Sequence, residues 1–254
     1  MADSYLKPVR GSSYKVRGLS PALWSSCPLG QLSVGMIDEG FGFLDDFLTF
    51  NDESPWVVSV ENNGGGTATA VLADAKGGVL TLDSDATTQH SGIQIQLGGA
   101  TGAASFVPNA SSKVYFEARV KIADIGSTTL QAFVGLSEVD TTVIDSGANT
   151  SANHVGFEMI DSTVIDLKSE KAGDRSASGS VGTLADGTYV KLGFLIDGLT
   201  KITPYVNGEA GTAVTTYIPI VAMTPSLVIQ SGGTTDPIMS VDWVACYQAE
   251  QISN

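Results

Sequence analysis

The chain has 254 residues, a net charge of −14, 16% charged side chains, 29 glycines and two cysteines. That length suits one large domain whose core is stable without disulfides or metal. The acidic balance argues against nucleic acid as a partner, and no apolar run reaches the length of a membrane-spanning helix. Small and β-branched residues without a sustained helical pattern point to an all-β chain rich in turns.

Residues 1–40 are predicted as an extended, irregular N-terminal arm, broken by Pro8, Gly11, Gly18, Pro21, Pro28, Gly30, Gly35 and Gly40. Residues 1–20 hold Lys7, Arg10, Lys15 and Arg17 against one acid, Asp3, a net +3, so the remainder carries −17 of the total −14. A basic arm on an acidic body fits docking on an oppositely charged partner. Tyr5, Leu6, Leu23 and Trp24 are the expected buried anchors of that arm, because aromatic anchors dominate interface energies. Met1–Ser20 has basic residues but no apolar segment of signal-peptide type, so synthesis in the cytoplasm is expected. Cys27 and Cys246 stand far apart in sequence and are expected as free thiols.

The domain proper is assigned to 41–249, with 250–254 as a C-terminal tail. It opens on FGFLDDFLTF (41–50). Strands are predicted at 56–60, 67–72, 78–82, 93–97, 114–122, 130–136, 154–159, 164–168, 189–196, 202–206, 218–223, 227–230 and 240–247. They are enough for two stacked antiparallel sheets. Over 114–122, Val114, Phe116, Ala118, Val120 and Ile122 should face between the sheets, while Tyr115, Glu117, Arg119 and Lys121 face outward or line a groove. Ile93, Ile95 and Leu97 alternate with Gln94 and Gln96 in the same way. NNGGG (62–66), GGATGAAS (98–105) and SASGS (176–180) have loop compositions. Residues 98–112 and 140–153 form the longest predicted loops, where contacts are usually built.

The stretch YVKLGFLIDGLTKITPYVNG (189–208) alternates apolar and polar residues, turns at Asp197-Gly198 and turns again at Asn207-Gly208. This hairpin resembles one in the concanavalin A-like and laminin G-like jelly rolls. Asp45-Asp46-Phe47 near the first strand and VDWVACYQ (241–248) in the last resemble the same family. The resemblance implies an all-β, two-sheet antiparallel jelly-roll sandwich. That family includes lectins, glycoside hydrolases and viral surface proteins, among them the capsid decoration proteins of tailed bacteriophages.

The β-glucan hydrolases of this fold carry Glu-x-Asp-x-x-Glu on one strand, where paired carboxylates supply nucleophile and acid. The nearest match, Glu138-Val139-Asp140-Thr141-Thr142-Val143, has Val143 in the third acidic position. His90 and His154 have no neighbours that mark a catalytic base, and no zinc spacing is present. The chain is therefore expected to be no enzyme, with no cofactor and no metal site. Trp56 and Tyr115 are the candidate glycan-contact aromatics. The preferred reading is a virion structural protein that cements the outside of a phage head through its arm and loops. Its partners would be the major capsid protein and copies of itself, as a homo-oligomer and by analogy a trimer. The alternative is a carbohydrate-binding, lectin-like module of a phage fibre; a glycoside hydrolase is the third reading.

Overall fold

The computed structural model describes residues 18–28, 40–51, 55–61, 67–84, 89–98, 105–126, 128–233 and 235–250. A short helix, α1 (Pro21–Trp24), precedes the strands. In chain order these are β1 (Gly40–Asp45), β2 (Trp56–Glu61), β3 (Thr69–Leu72), β4 (Leu80–Asp83), β5 (Gly92–Leu97) and β6 (Ser112–Ala123). There follow β7 (Leu130–Ser137), β8 (Ile144–Asp145), β9 (Ala148–Asn149), β10 (Asn153–Ile160), β11 (Val164–Lys171) and β12 (Asp174–Thr183). The last are β13 (Thr188–Asp197), β14 (Lys201–Val206), β15 (Glu209–Ala210), β16 (Thr224–Ser231) and β17 (Ile238–Glu250).

The strands build a two-sheet antiparallel jelly-roll sandwich. One sheet runs β15-β14-β13-β6-β17-β4-β3, with β1 also paired to β17; the other runs β12-β11-β10-β7-β16-β5-β2. The period-two pattern decides which side chains lie between them. Val114, Phe116, Ala118, Val120 and Ile122 of β6 are fully buried there, against Phe157 of β10 and Phe194 of β13. Phe116 and Phe194 stack at 5.0 Å. The Asn207-Gly208 turn between β14 and β15 has positive φ at both residues, 52° and 84°, as a tight hairpin with right-handed strand twist demands.

Two expectations about strands fail, each for a physical reason. Asp174–Thr183, which contains the loop-like SASGS, is an edge strand. Its side chains are mostly exposed, so it carries no hydrophobic alternation to read. Residues 218–223 form no strand; there, only Met223 bridges, to Phe106.

The outer faces of both sheets are also covered, and this differs from the simple inward-apolar, outward-polar expectation. Residues 18–28 lie across the outer face of the first sheet. Tyr115 and Glu117 beneath them are 0% exposed. Ser20 donates its backbone N–H (2.9 Å) and its hydroxyl to the Glu117 carboxylate, and Trp24 Nε1 donates to the same carboxylate at 2.8 Å. The Trp24 ring stacks on Tyr115 at 5.5 Å. Lys191 Nζ donates to the Gly18 carbonyl at 3.0 Å. Leu23 lies over Gly193, where an added Cβ would come within 2.7 Å of Leu23 Cδ2. The boundary expected at residue 40 thus separates neither packing nor hydrogen bonding, because 18–28 already belong to the body.

On the second sheet the cover is the segment 138–152, which carries the β8–β9 hairpin. Gln94 and Gln96 clamp its start. Gln94 Nε2 donates to the Asp140 carbonyl and its Oε1 accepts from Val143 N–H; Gln96 does the same with Glu138 and Asp140. Val143 and Ile144 close a small apolar cluster with Phe133 and Val228 of the sheet. Phe133 lies over Gly156, whose Cβ would meet its ring at 2.5 Å. Both glutamines are buried for this reason, despite their place on the polar side of β5.

Candidate functional site

Where the 138–152 cover ends, the outer face of the second sheet carries a row of ionisable side chains. The alternation of β10 sends Val155, Phe157 and Met159 into the core and His154, Gly156, Glu158 and Ile160 to the outer face. On β11, Ile165 and Leu167 are core, and Asp166, Lys168 and Glu170 alternate with them. The register places Glu158 opposite Asp166, His154 opposite Glu170, and Glu170 opposite Arg175 of β12.

The resulting network is buried at one end and open at the other. His154 is 0% exposed and Glu158 4%. His154 Nδ1 lies 2.9 Å from the Ser151 carbonyl, so that nitrogen carries a hydrogen. Its Nε2 stands 3.0 Å from Glu158 Oε1, in a bent approach, and neither atom has another hydrogen-bond partner among the described residues. Arg175 donates from Nε to Glu170 Oε2, from Nη1 to Glu158 Oε2 at 3.4 Å and from Nη2 to the Asn149 carbonyl at 3.3 Å. Lys168 Nζ pairs with Asp166 Oδ2 at 2.8 Å. Burial alone would raise the Glu158 carboxyl; the His154 contact and the charges of His154, Arg175 and Lys168 outweigh it and hold the group below the usual carboxylate range.

Beside this network opens a groove of about 360 Å³, within the range of small-ligand sites. Asn149, Glu158, Asp166, Lys168 and Arg175 form its polar wall. Ile160 and Val164 form an apolar lip, and Val164 is 40% exposed. The arrangement can hydrogen-bond a polar ligand on one side and pack its C–H face on the other.

The residues singled out from sequence lie elsewhere. Trp56 is 5% exposed, packed on Phe43 and Phe47, with its Nε1 donating to Asp45 Oδ2. Tyr115 is 0% exposed beneath Trp24. A glycan platform needs an exposed ring face, so neither residue supplies one. Leu23 and Trp24, expected to anchor on a partner, are buried on the chain's own sheet. Tyr5, Leu6, Lys7, Arg10, Lys15 and Arg17 lie outside the described residues. Glu138 accepts from Asn153 Nδ2 at 2.9 Å, Asp140 caps the Thr142 N–H at 3.0 Å, and Val143 is fully buried. The groove residues were legible only in part, since the alternation of Asp166, Lys168 and Glu170 marks a polar strand face without saying what lies beside it.

No family model matches this chain, and no curated protein matches it in sequence. Solved structures do resemble it. A protein of unknown function from Shewanella oneidensis MR-1 superposes with a TM-score of 0.58 at 13% identity, over 85% of this chain and 89% of that one. The carbohydrate recognition domain of Emp47p gives 0.55 at 10% identity, over 85% and 98%. A prokaryotic β-1,3-1,4-glucanase (lichenase) from a mouse hindgut metagenome gives 0.53 at 14% identity, over 83% and 99%. The fold is thus the concanavalin A-like jelly roll of lectins and glucanases. The expectation that the chain is no enzyme is corrected by the same finding: a glycoside hydrolase stands among its structural relatives, so the missing third carboxylate at Val143 no longer sets enzymes aside. The capsid-decoration reading draws no support from these structures.

Proposed function

We propose that the chain is a carbohydrate-binding, lectin-like jelly roll whose ligand lies in the groove beside the β8–β9 hairpin. The observation that carries this reading is the groove itself, lined by fixed amide and charged groups together with the apolar Ile160 and Val164, of which Val164 is exposed. A sugar has the matching two-sided chemistry, with hydroxyls around its rim and an apolar C–H face. The network of His154, Glu158, Glu170 and Arg175 sets the polar wall before any ligand arrives, which lowers the ordering cost of binding. The carbohydrate recognition domain among the similar structures supports the same class. A glycan array probed with the whole chain tests the proposal. Val164→Glu places a charge on the apolar lip at an exposed position, so array binding should fall while the unfolding midpoint stays unchanged. Binding that survives this substitution would move the ligand elsewhere.

A further inference from the structure

We infer that the ligand of this groove is an acidic saccharide whose uronate carboxylates are held by Lys168 and Arg175. This rests on the carbohydrate-binding reading and narrows it to one chemical class. The argument is a census of what the wall has left to offer. Its carboxylates are already engaged: Glu158 Oε2 accepts from Arg175, Glu170 Oε2 accepts from Arg175, and Asp166 takes Lys168 on one oxygen and Ser178 Oγ on the other. His154 Nδ1–H is spent on the Ser151 carbonyl. Its Nε2 faces Glu158 Oε1 at 3.0 Å, and both residues are buried, so neither offers an accessible group to a ligand. Asp166 and Glu170 are balanced by Lys168 and Arg175.

What remains is N–H. Lys168 has three ammonium hydrogens, of which one suffices for Asp166. Arg175 has five, and its described bonds use one each from Nε, Nη1 and Nη2. Their side chains are 25% and 37% exposed, that of Asp166 is 22%, and those of Glu158 and Glu170 are 3% and 10%. The accessible part of the wall is therefore a Lys168–Asp166 ion pair beside the Arg175 fork, its most exposed charge, and it is donor-rich although the chain as a whole is acidic. Charge-assisted hydrogen bonds are about twice as strong as neutral ones, and the planar guanidinium fork suits a carboxylate. A neutral sugar would leave that capacity unused.

Calorimetry on the whole chain decides the matter. The probes are oligosaccharides of galacturonate, glucuronate and mannuronate, each compared with its carboxyl-reduced, neutral form. At least one acidic form should bind about tenfold or more tighter than its reduced counterpart, and its affinity should fall with added salt. Lys168→Gln removes the charge and leaves a polar side chain one bond shorter, and it should weaken the acidic form about tenfold. The neutral form should lose clearly less than the acidic one, and the unfolding midpoint should hold. Equal binding of acidic and reduced forms, or no effect of Lys168→Gln, would overturn the inference and leave the carbohydrate reading standing. Absence of binding to these probes and to every glycan on the array would overturn both.

Discussion

Glu117 offers the sharpest test of how the N-terminal segment is held. Its carboxylate is fully buried and receives three donors from 18–28: the Ser20 N–H, the Ser20 hydroxyl and Trp24 Nε1. Trp24→Phe keeps a ring over Tyr115 and removes one of these donors. A hydrogen bond to a charged group contributes about 1.5–3 kcal/mol, so the unfolding free energy in guanidinium should fall by that amount. Glu117→Ala removes the acceptor of all three and leaves Lys191, 3% exposed, without its nearby counter-charge. Breaking a buried charge arrangement from one side costs about 3–5 kcal/mol. The same loss favours detachment of 18–28 from the sheet. Chymotrypsin cleavage after Leu23 and residue 24 reads that detachment directly. Trp24→Phe within about 0.5 kcal/mol of the native chain, with cleavage unchanged in both variants, would refute the idea that the carboxylate holds the segment.

Gly193→Ala should act at the same contact from the other side. The new Cβ would lie 2.7 Å from Leu23 Cδ2 and 2.9 Å from the Phe116 carbonyl, so chymotrypsin should cut 18–28 faster and stability should fall by about 1–3 kcal/mol. On the opposite sheet, Gly156→Ala would drive a methyl into the Phe133 ring at 2.5 Å, and amide exchange should quicken across 138–152. Glu158 is held below its unfolded value of 4.5, so it contributes stability that is present above about pH 4.5 and lost as pH falls through the folded value. An acid titration of unfolding free energy should show that loss, and Glu158→Gln should flatten it. A thiol reagent should label Cys27, which is half-buried, well before Cys246, which is 1% exposed and whose thiol burial pushes up.

The sandwich was legible because its signal is local. Val114 to Ile122 declares two faces by alternation, and Asn207-Gly208 declares a turn by the φ it tolerates. What covers those faces was not legible. Glu117 looks like a solvent-facing residue of β6 until Ser20 and Trp24, more than ninety positions away, are seen to bond to it. Gln94 and Gln96 look outward until the 138–152 segment takes up their amides. The groove is hidden for the same reason. Glu158, Asp166 and Arg175 lie on three strands, and only the register brings them together. Trp56 and Tyr115 show the converse error, since aromaticity marks a large buried ring as readily as an exposed platform.

β17 has a consequence for how this molecule comes into being. It lies beside β6 on one edge and beside both β1 and β4 on the other, so it is the seam of the first sheet. Until residue 250 has left the ribosome, β6 has β13 but no second neighbour, and β1 has no strand to pair with. The nascent chain must therefore carry unpaired strand edges and exposed core side chains until β17 has emerged. Such long-range closure is slow and prone to aggregation. The vulnerable moment thus falls during translation, before β17 is in place.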